Sequence, residues 1–514
     1  MARYKNYSYE QQLMVAVSLE KQILPGTFEY TLNTLIDEKL DLTLFHERYN
    51  NDETGAPAYD PAVLLKIILF AYSRGINTSR KIAKFCEENI VCMALAADTQ
   101  PHFTTIAHFI SSMDRECVDL FTKILAVCYT ENLIGKNMFA IDGCKISSNC
   151  SKEWSGTKEE LLSKVEKIRK SIKYLVDKHQ AEDRRPEKEK ERKKEEESIK
   201  KLKAKADKIN EWLEDNEDRV GTQGKPVKSN ITDNESAKMA TSHGVVQGYN
   251  GIAAVDDKHQ TIVFAEVYGD INESGHLPEV MEGVKKNCRE AGIGQEIYST
   301  VKITADSGFH NERNMELIHN KGIEAIIADN QFRKRDVRFN EAGKYKKKIA
   351  EWQPEKGKKY YRPEDFFYDE YMGKLICPEG HEMWLKCRNF QSNGGKNRGI
   401  TYMGHIRNCM NCKQRSKCIR KETTKARQVL ISDKDEKASQ VNHTAWMRRR
   451  FDTPEGRSLY SKRMGTVEPV FGHIAGVKRL NRFTLRSKKK VNNQWLLYCM
   501  VHNIGKIQVF GGME

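Results

Sequence analysis

Two acidic residues close apolar runs that read as buried strands: Asp142 ends NMFAID and Asp306 ends VKITAD. A carboxylate at a strand end sits at the edge of a sheet, where it can reach a metal ion. A third acid, Glu468, lies in a helical pattern, GTVEPVFGHIAGVKRL. Three carboxylates from two strands and a helix can hold two Mg²⁺ (or Mn²⁺) ions roughly 4 Å apart. Oxygen ligands suit those ions. One ion would activate a water or a 3′-hydroxyl, and the other would stabilise the leaving oxygen of a phosphodiester. Asp256, Asp257 and Asp329 compete on the same grounds, because a strand-end Asp also serves as a cap or turn former.

The cysteines carry a second signal. Cys409-x2-Cys412 is a short loop able to present two thiolates to one tetrahedral Zn²⁺, with Cys418 close behind. Cys377 lies in ICPEGH, a turn that resembles one knuckle of a zinc ribbon. The expected zinc ligands are therefore Cys377, Cys409, Cys412 and Cys418, with Cys387 as a spare and His381 as a substitute. Free thiols in a small β-rich segment are the alternative. A structural zinc would explain how a segment so poor in aliphatic residues folds. Cys86, Cys92, Cys117, Cys128 and Cys499 sit in apolar helical patterns and read as core. Thirteen cysteines in 514 residues are too sparse for a disulfide scaffold.

Charge is the third signal. Lys and Arg number 86 against 71 Asp and Glu, a formal +15 that draws the chain to a polyanion, either nucleic acid or an acidic membrane surface. The excess is local: Trp446 to Lys490 holds 13 basic and 3 acidic residues. There Phe471, Lys478, Arg479, Arg482, Phe483 and Arg486 interleave aromatics with cations. Phosphate contacts from such a face would be salt-dependent and poor in sequence preference; a solvated helix face is the other reading. No apolar run approaches the roughly 20 residues that span a bilayer. The start, MARYKNYSYEQQ, has no apolar signal region, so the cytoplasm is the expected compartment.

The elements around these residues follow from periodicity. Residues from about 10 to 130 read as helices. Asp60-Pro61 caps and opens AVLLKIILFAYSRG, which Gly75 stops, and Thr78 or Ser79 caps the next helix. Such short helices joined by tight turns either dock in a DNA groove or simply pack. Past Asp142, Leu161, Val165, Ile168, Ile172 and Leu175 form a heptad seam. Ile199, Leu202, Ala206, Ile209 and Leu213 repeat it beyond a charged interval containing Pro186, which suggests an antiparallel helical hairpin. Between Ala181 and Lys200 eight acids balance eight bases, a solvated face. From Asp233 to Asp329, a hairpin turning at Asp257-Lys258-His259, two further strands and a helix make a mixed-sheet α/β pattern. In the C-terminal helical stretch, Trp495, Leu496, Leu497 and Tyr498 are expected to pack the helix that covers the sheet.

Taken in order, these blocks resemble the DDE transposases of bacterial insertion sequences. The resemblance rests on DPAVLLKIILFAYSRG, FTTIAHF, FAIDGCKISSN, GYNGIAAVDDKHQTIVFAEV, ITADSGF, YSKRMGTVEPVFGHI and VNNQWLLYCMVHN, nearly the whole chain. It implies an RNase H-like catalytic core whose acids match Asp142, Asp306 and Glu468, and it favours the same four cysteines. Tyr460, Arg463 and Glu468 resemble the family's tyrosine-arginine-glutamate-lysine signature. Four residues separate the arginine and glutamate here where related branches have three, and Ala475 stands where the lysine would. The phosphate contact then passes to Lys478 or His473, beside Arg479 and Arg482 in the basic stretch.

The resulting division has a helical DNA-binding or dimerisation domain at 1–130 and an RNase H-like core from 135–155 and 220–330, completed by 440–514. A helical-hairpin insertion at 156–219 and a cysteine-rich insertion at 331–435 interrupt that core. The implied partners are double-stranded DNA, as terminal inverted repeats and target, and a second or further copy of the chain, with no membrane. The rival functions are a catalytically inactive DNA-binding relative and a metal-dependent nuclease that never joins strands.

Overall fold

A computed structural model describes residues 16–49, 57–181, 189–220, 226–241, 244–336, 360–361, 363–369, 374–391, 398–421, 423–432 and 443–512. The charged interval with Pro186 lies outside the described residues. Two compact units emerge, one spanning Asn330–Trp446 and the other the rest.

The larger unit opens with helices α1 (Phe28–Thr34), α2 (Pro61–Ser73), α3 (Ser79–Glu88), α4 (Ile90–Leu95), α5 (Phe103–Ser112) and α6 (Arg115–Thr130). Asp60 does cap α2: its carboxylate accepts from Ala62 N at 2.7 Å, Pro61 fills the first turn, and Gly75 follows with φ +74°. The five core cysteines of these helices and of the C-terminal helix are all buried.

A six-stranded sheet comes next, from β1 (Met138–Ser147), β2 (Ala237–Thr241), β3 (Gly244–Asp256), β4 (Ile262–Tyr268), β5 (Lys302–Ala305) and β6 (Ala325–Ile327). The order is β6-β5-β1-β3, with β2 and β4 both paired to β3. β6, β5 and β1 run parallel, whereas β3 is antiparallel to β1. The sheet is therefore mixed, as expected. β1 continues five residues past Asp142, although its apolar run stops there. Gly143 to Ser147 still pair with β3, while the parallel partner β5 ends at Ala305, opposite Ile141. Asp142 thus sits where β1 loses one neighbour, and Asp306 directly follows the last residue of that neighbour.

Helices α7 (Lys158–Ala181) and α8 (Glu189–Asp215) close their seams on each other through Leu161, Val165, Ile168, Ala206, Ile209 and Leu213, with Ile172 and Leu202 at the margin. Lys178 and His179 both meet Glu195, at 2.7 and 2.6 Å, so the pair is antiparallel. α9 (Leu277–Glu290) and α10 (Glu312–Asn320) accompany the strands. The chain then returns through α11 (His443–Phe451), α12 (Pro454–Gly472) and α13 (Lys488–Phe510).

α13 is buried almost all round, which marks a helix enclosed by the core rather than lying on it. One side meets the N-terminal helices: Tyr498 stacks on Tyr72 at 4.5 Å, and the Asn493 amide donates to Met113 O. The other side meets the sheet. The Asn503 side chain accepts from Ile262 N and donates to Ile262 O, both at 2.9 Å, and Trp495 lies against Gly251. This one helix joins the N-terminal helices to β3 and β4.

The smaller unit is an antiparallel sheet in sequential order: β7 (Phe367–Asp369), β8 (Lys374–Ile376), β9 (Glu382–Gln391), β10 (Arg398–Gly404) and β11 (Gln428–Ser432). Its small core is Phe366, Leu375, Met383, Tyr402 and Val429. Among the described residues, no helix is long and apolar enough to cross a membrane.

Candidate active site and cysteine cavity

α12 lays Tyr460, Arg463, Val467 and Val470 along one buried face, at three- and four-residue spacings. That face brings Arg463 to the two strand acids. Its guanidinium lies 2.6 Å from Asp142 and 3.4 Å from Asp306, and its side chain is only 7 % exposed. The Tyr460 hydroxyl donates to Asp306 at 3.5 Å, and the Arg463 guanidinium sits over the Tyr460 ring at 5.3 Å. Gly143 N also donates to Asp142, at 2.9 Å.

Burial raises the Asp142 carboxyl to about 6 despite Arg463, and Asp306 adds repulsion. The open pocket, which Lys145 also lines, presents hard carboxylate oxygens of the kind that binds Mg²⁺ or Mn²⁺. Among the described residues no group of three or more His, Cys, Asp or Glu side chains, the expected cysteine ligands Cys377, Cys409, Cys412 and Cys418 included, is arranged to hold a metal ion.

Glu468 is not brought to the pair. It is exposed, and five residues along a helix turn it about 140° from Arg463. The acid that the structure does add is Glu273, in the loop between β4 and α9, which lines the same pocket as Asp142 and Asp306. Sequence reasoning missed it, because a loop glutamate in GDINESG belongs to no strand-end or helical pattern. Two of the three competing acids, Asp256 and Asp257, have backbone roles. Asp256 is fully buried and accepts from Gly135 N, Lys136 N and Lys258 N at 2.9–3.1 Å, while Asp257 accepts from Met138 N. Asp329 lies 3.7 Å from Arg448.

The basic stretch is less open than its composition suggests. Arg482 donates to Ser148 O and Arg486 to Asn149 O, so both hold the end of β1. Phe483 is fully buried. His473 faces His502, Nδ1 to Nδ1 at 3.3 Å, and His502 Nε2 lies 2.9 Å from Gln260 O. Because that carbonyl can only accept, His502 donates from Nε2, and its Nδ1 accepts from His473. Arg479 is exposed in a left-handed conformation, φ 57°, against Gly75.

Lys478 is 6 % exposed above the Phe28 ring, and burial, then Arg74, lowers it to about 8. Between pH 8 and 10.5 the unfolded chain holds this proton and the folded chain does not, so stability should rise with pH across that window. Lys478→Met should raise Tm at pH 7 and flatten the rise, as read by thermal melts at several pH values. An unchanged profile would mean that Lys478 stays charged and solvated.

In the smaller unit, Cys377, Cys409, Cys412 and Cys418 line one cavity together with His381. Cys377 N donates to His381 O, and Gly380, φ 78°, closes the turn by donating to Cys377 O. Gly404 backs the cavity: a Cβ there would come within 2.7 Å of Cys409 Sγ. Cys387 is exposed on β9, away from the cavity. Burial raises the Cys418 thiol, Arg427 opposes this, and the other three cysteines raise it further.

A family model described as transposase DDE domain matches residues 376–508, which take in the four cysteines, Arg463 and Glu468. A second, described as transposase domain (DUF772), matches residues 17–112 in the N-terminal helices. No curated protein matches the chain.

Proposed function

We propose that this chain, which transposase family models match over residues 17–112 and 376–508, is a DDE transposase of an insertion sequence that cuts DNA at the ends of its element and joins the freed 3′-hydroxyl to target DNA. The observation that carries this reading is the convergence of Asp142 and Asp306, from neighbouring parallel strands, on one buried arginine. The strand order, with a central β1 flanked by parallel β5 and antiparallel β3, supports an RNase H-like core. The α7–α8 hairpin and the cysteine-bearing sheet are then insertions into it.

In cleavage, a water oxygen bonds to the scissile phosphorus as the bond to the 3′-oxygen breaks, and that oxygen leaves as a hydroxyl. In joining, the 3′-hydroxyl repeats the displacement on target DNA, loses its proton and releases a new 3′-hydroxyl. Asp142 and Asp306 would hold the divalent ions, which supply Lewis-acid stabilisation of phosphate oxygens when bound. Arg463 is fixed between the acids, and Lys145 is the cation that lines the open pocket with them. Tyr460 orients both Arg463 and Asp306.

Glu468 is the third acid by family resemblance. It joins the pair when DNA is bound, through a change in α12. Two features of that helix favour one: Pro469 lies inside it, and a π-turn at His473–Val477 follows. Paired ends require a dimer or larger assembly, acting on DNA in the bacterial cytoplasm. The test is a cleavage and joining assay on a DNA end with Mg²⁺. Cleavage without joining would make the protein a nuclease, and neither activity would make it a DNA-binding relative.

For the smaller unit we propose a structural Zn²⁺ on Cys377, Cys409, Cys412 and Cys418, supported by their shared cavity. Metal analysis of the purified chain should find about one zinc per protein, lost on replacing Cys409 and Cys412 by Ser. Zinc-free protein with an unchanged melt would leave the four as thiols.

A further inference from the structure

His473 and Lys478, the expected phosphate contacts, do not line the pocket of Asp142 and Asp306. They line a second, open cavity of about 600 Å³, walled by the start of α1, the end of α2, the turn after α12 and the end of α13. That volume falls within the range of about 300–1,000 Å³ typical of small-ligand sites. Gly26 and Gly505 keep the cavity open: a Cβ on either would meet nothing within 4 Å.

The charge on its walls is one-sided. Arg74, Lys478 and Lys506 share the lining with a single carboxylate, Glu29, which is already engaged 3.4 Å from Arg74. Lys506 donates to the Gln260 side-chain oxygen at 3.0 Å, a neutral partner, and lies over the Phe510 ring at 5.8 Å. Lys478 lies over the Phe28 ring, also at 5.8 Å. Only 6 % of Lys478 is exposed, yet its ammonium has no hydrogen bond or ion pair among the described residues.

A cation buried in this way is costly unless an anion offsets it. Burial, then Arg74, disfavours the charge on Lys478; burial, then Lys478 and Lys506, disfavours one on His473. The basic groups are thus close enough to repel one another, and an anion among them would relieve both costs. A phosphate group suits such walls, because lysine binds it as a point charge and needs no fixed fork geometry.

We propose that this cavity is a phosphate-binding site, apart from the acid pocket, and that the phosphate belongs to the backbone of bound DNA. The phosphate chemistry rests on the cavity; its DNA source rests on the transposase reading. A strand held here would touch the N-terminal helices and α13 at once.

The full chain is tested at pH 7 without divalent ions, so that no DNA is cut. Inorganic phosphate should raise the melting temperature of the wild type by more than chloride at equal ionic strength. Lys478→Met and Lys506→Gln should each lose most of that extra shift, whereas Lys84→Met, on an exposed face of α3, should keep it. On duplex DNA, read by fluorescence anisotropy over a salt series, each cavity variant should bind more weakly. The slope of log affinity against log salt should fall by about 1 in each, and Lys84→Met should leave it unchanged. A reduced phosphate shift with wild-type DNA binding would overturn the DNA source and leave a site for free phosphate. If phosphate acts no better than chloride and both variants bind DNA as wild type does, the cavity is not a phosphate site. If the wild type binds no DNA, the transposase reading fails, while the phosphate melts still judge the cavity.

Discussion

Asp142→Asn should leave a folded chain that neither cuts nor joins DNA. The substitution keeps the side-chain volume and removes a carboxylate that burial already disfavours. Loss of fold is therefore not expected, and Asn still offers Arg463 an oxygen. What disappears is one of two charges that would hold the ion. A Lewis-acid ion contributes several kcal/mol to a phosphoryl transition state, so cleavage should fall by roughly a thousandfold. Gel analysis of a labelled end with Mg²⁺, with a melt on the same sample, reads both outcomes. Full activity in Asp142→Asn would sink the active-site assignment, whatever the family.

Arg463→Ala should have the largest effect on stability. It removes the partner of two acids and leaves Asp142, 17 % exposed, beside Asp306, 39 % exposed. Breaking a fully buried pair costs about 3–5 kcal/mol. Solvent screening at Asp306 reduces this to roughly 2–3 kcal/mol. The ion-free protein should therefore melt several degrees lower. Mg²⁺ should restore more stability to this variant than to wild type, because the ion takes over the charge that Arg463 supplied. Equal Mg²⁺ shifts in the two proteins would show that arginine and ion do not share the acids.

Much of the scaffold was legible in the sequence because its signals are periodic. The α7–α8 seam, the Asp60-Pro61 start of α2 and the turn after Asp257 each depend on neighbours along the chain. The strand acids were legible in part. Apolar runs located Asp142 and Asp306, but they could not show that β1 continues beyond Asp142, since pairing to β3 is a long-range matter. Glu273 was invisible for the same reason: it reaches the pocket from a loop, and no local pattern records that. Tyr460 and Arg463 were legible only as part of a signature, and their contacts with the strand acids are long-range. Helix phase explains Glu468, whose five-residue spacing from Arg463 places the two on different faces. Composition could not show that Arg482 and Arg486 hold the chain just after β1.

The burial of α13 also bears on when the protein can begin to work. On the ribosome, the helices before residue 130 and the strands up to β6 emerge well before the helix that fills the gap between them. Roughly 340 residues separate the end of β1 from the start of α13, several tens of seconds of synthesis. Until then the faces that Trp495 and Tyr498 will cover are exposed, and Arg463 has not arrived to hold the acids. A nascent or prematurely ended chain thus lacks both its central packing helix and its acid clamp. The arrangement of Arg463 with the two acids is completed only when nearly all of this sequence has been made.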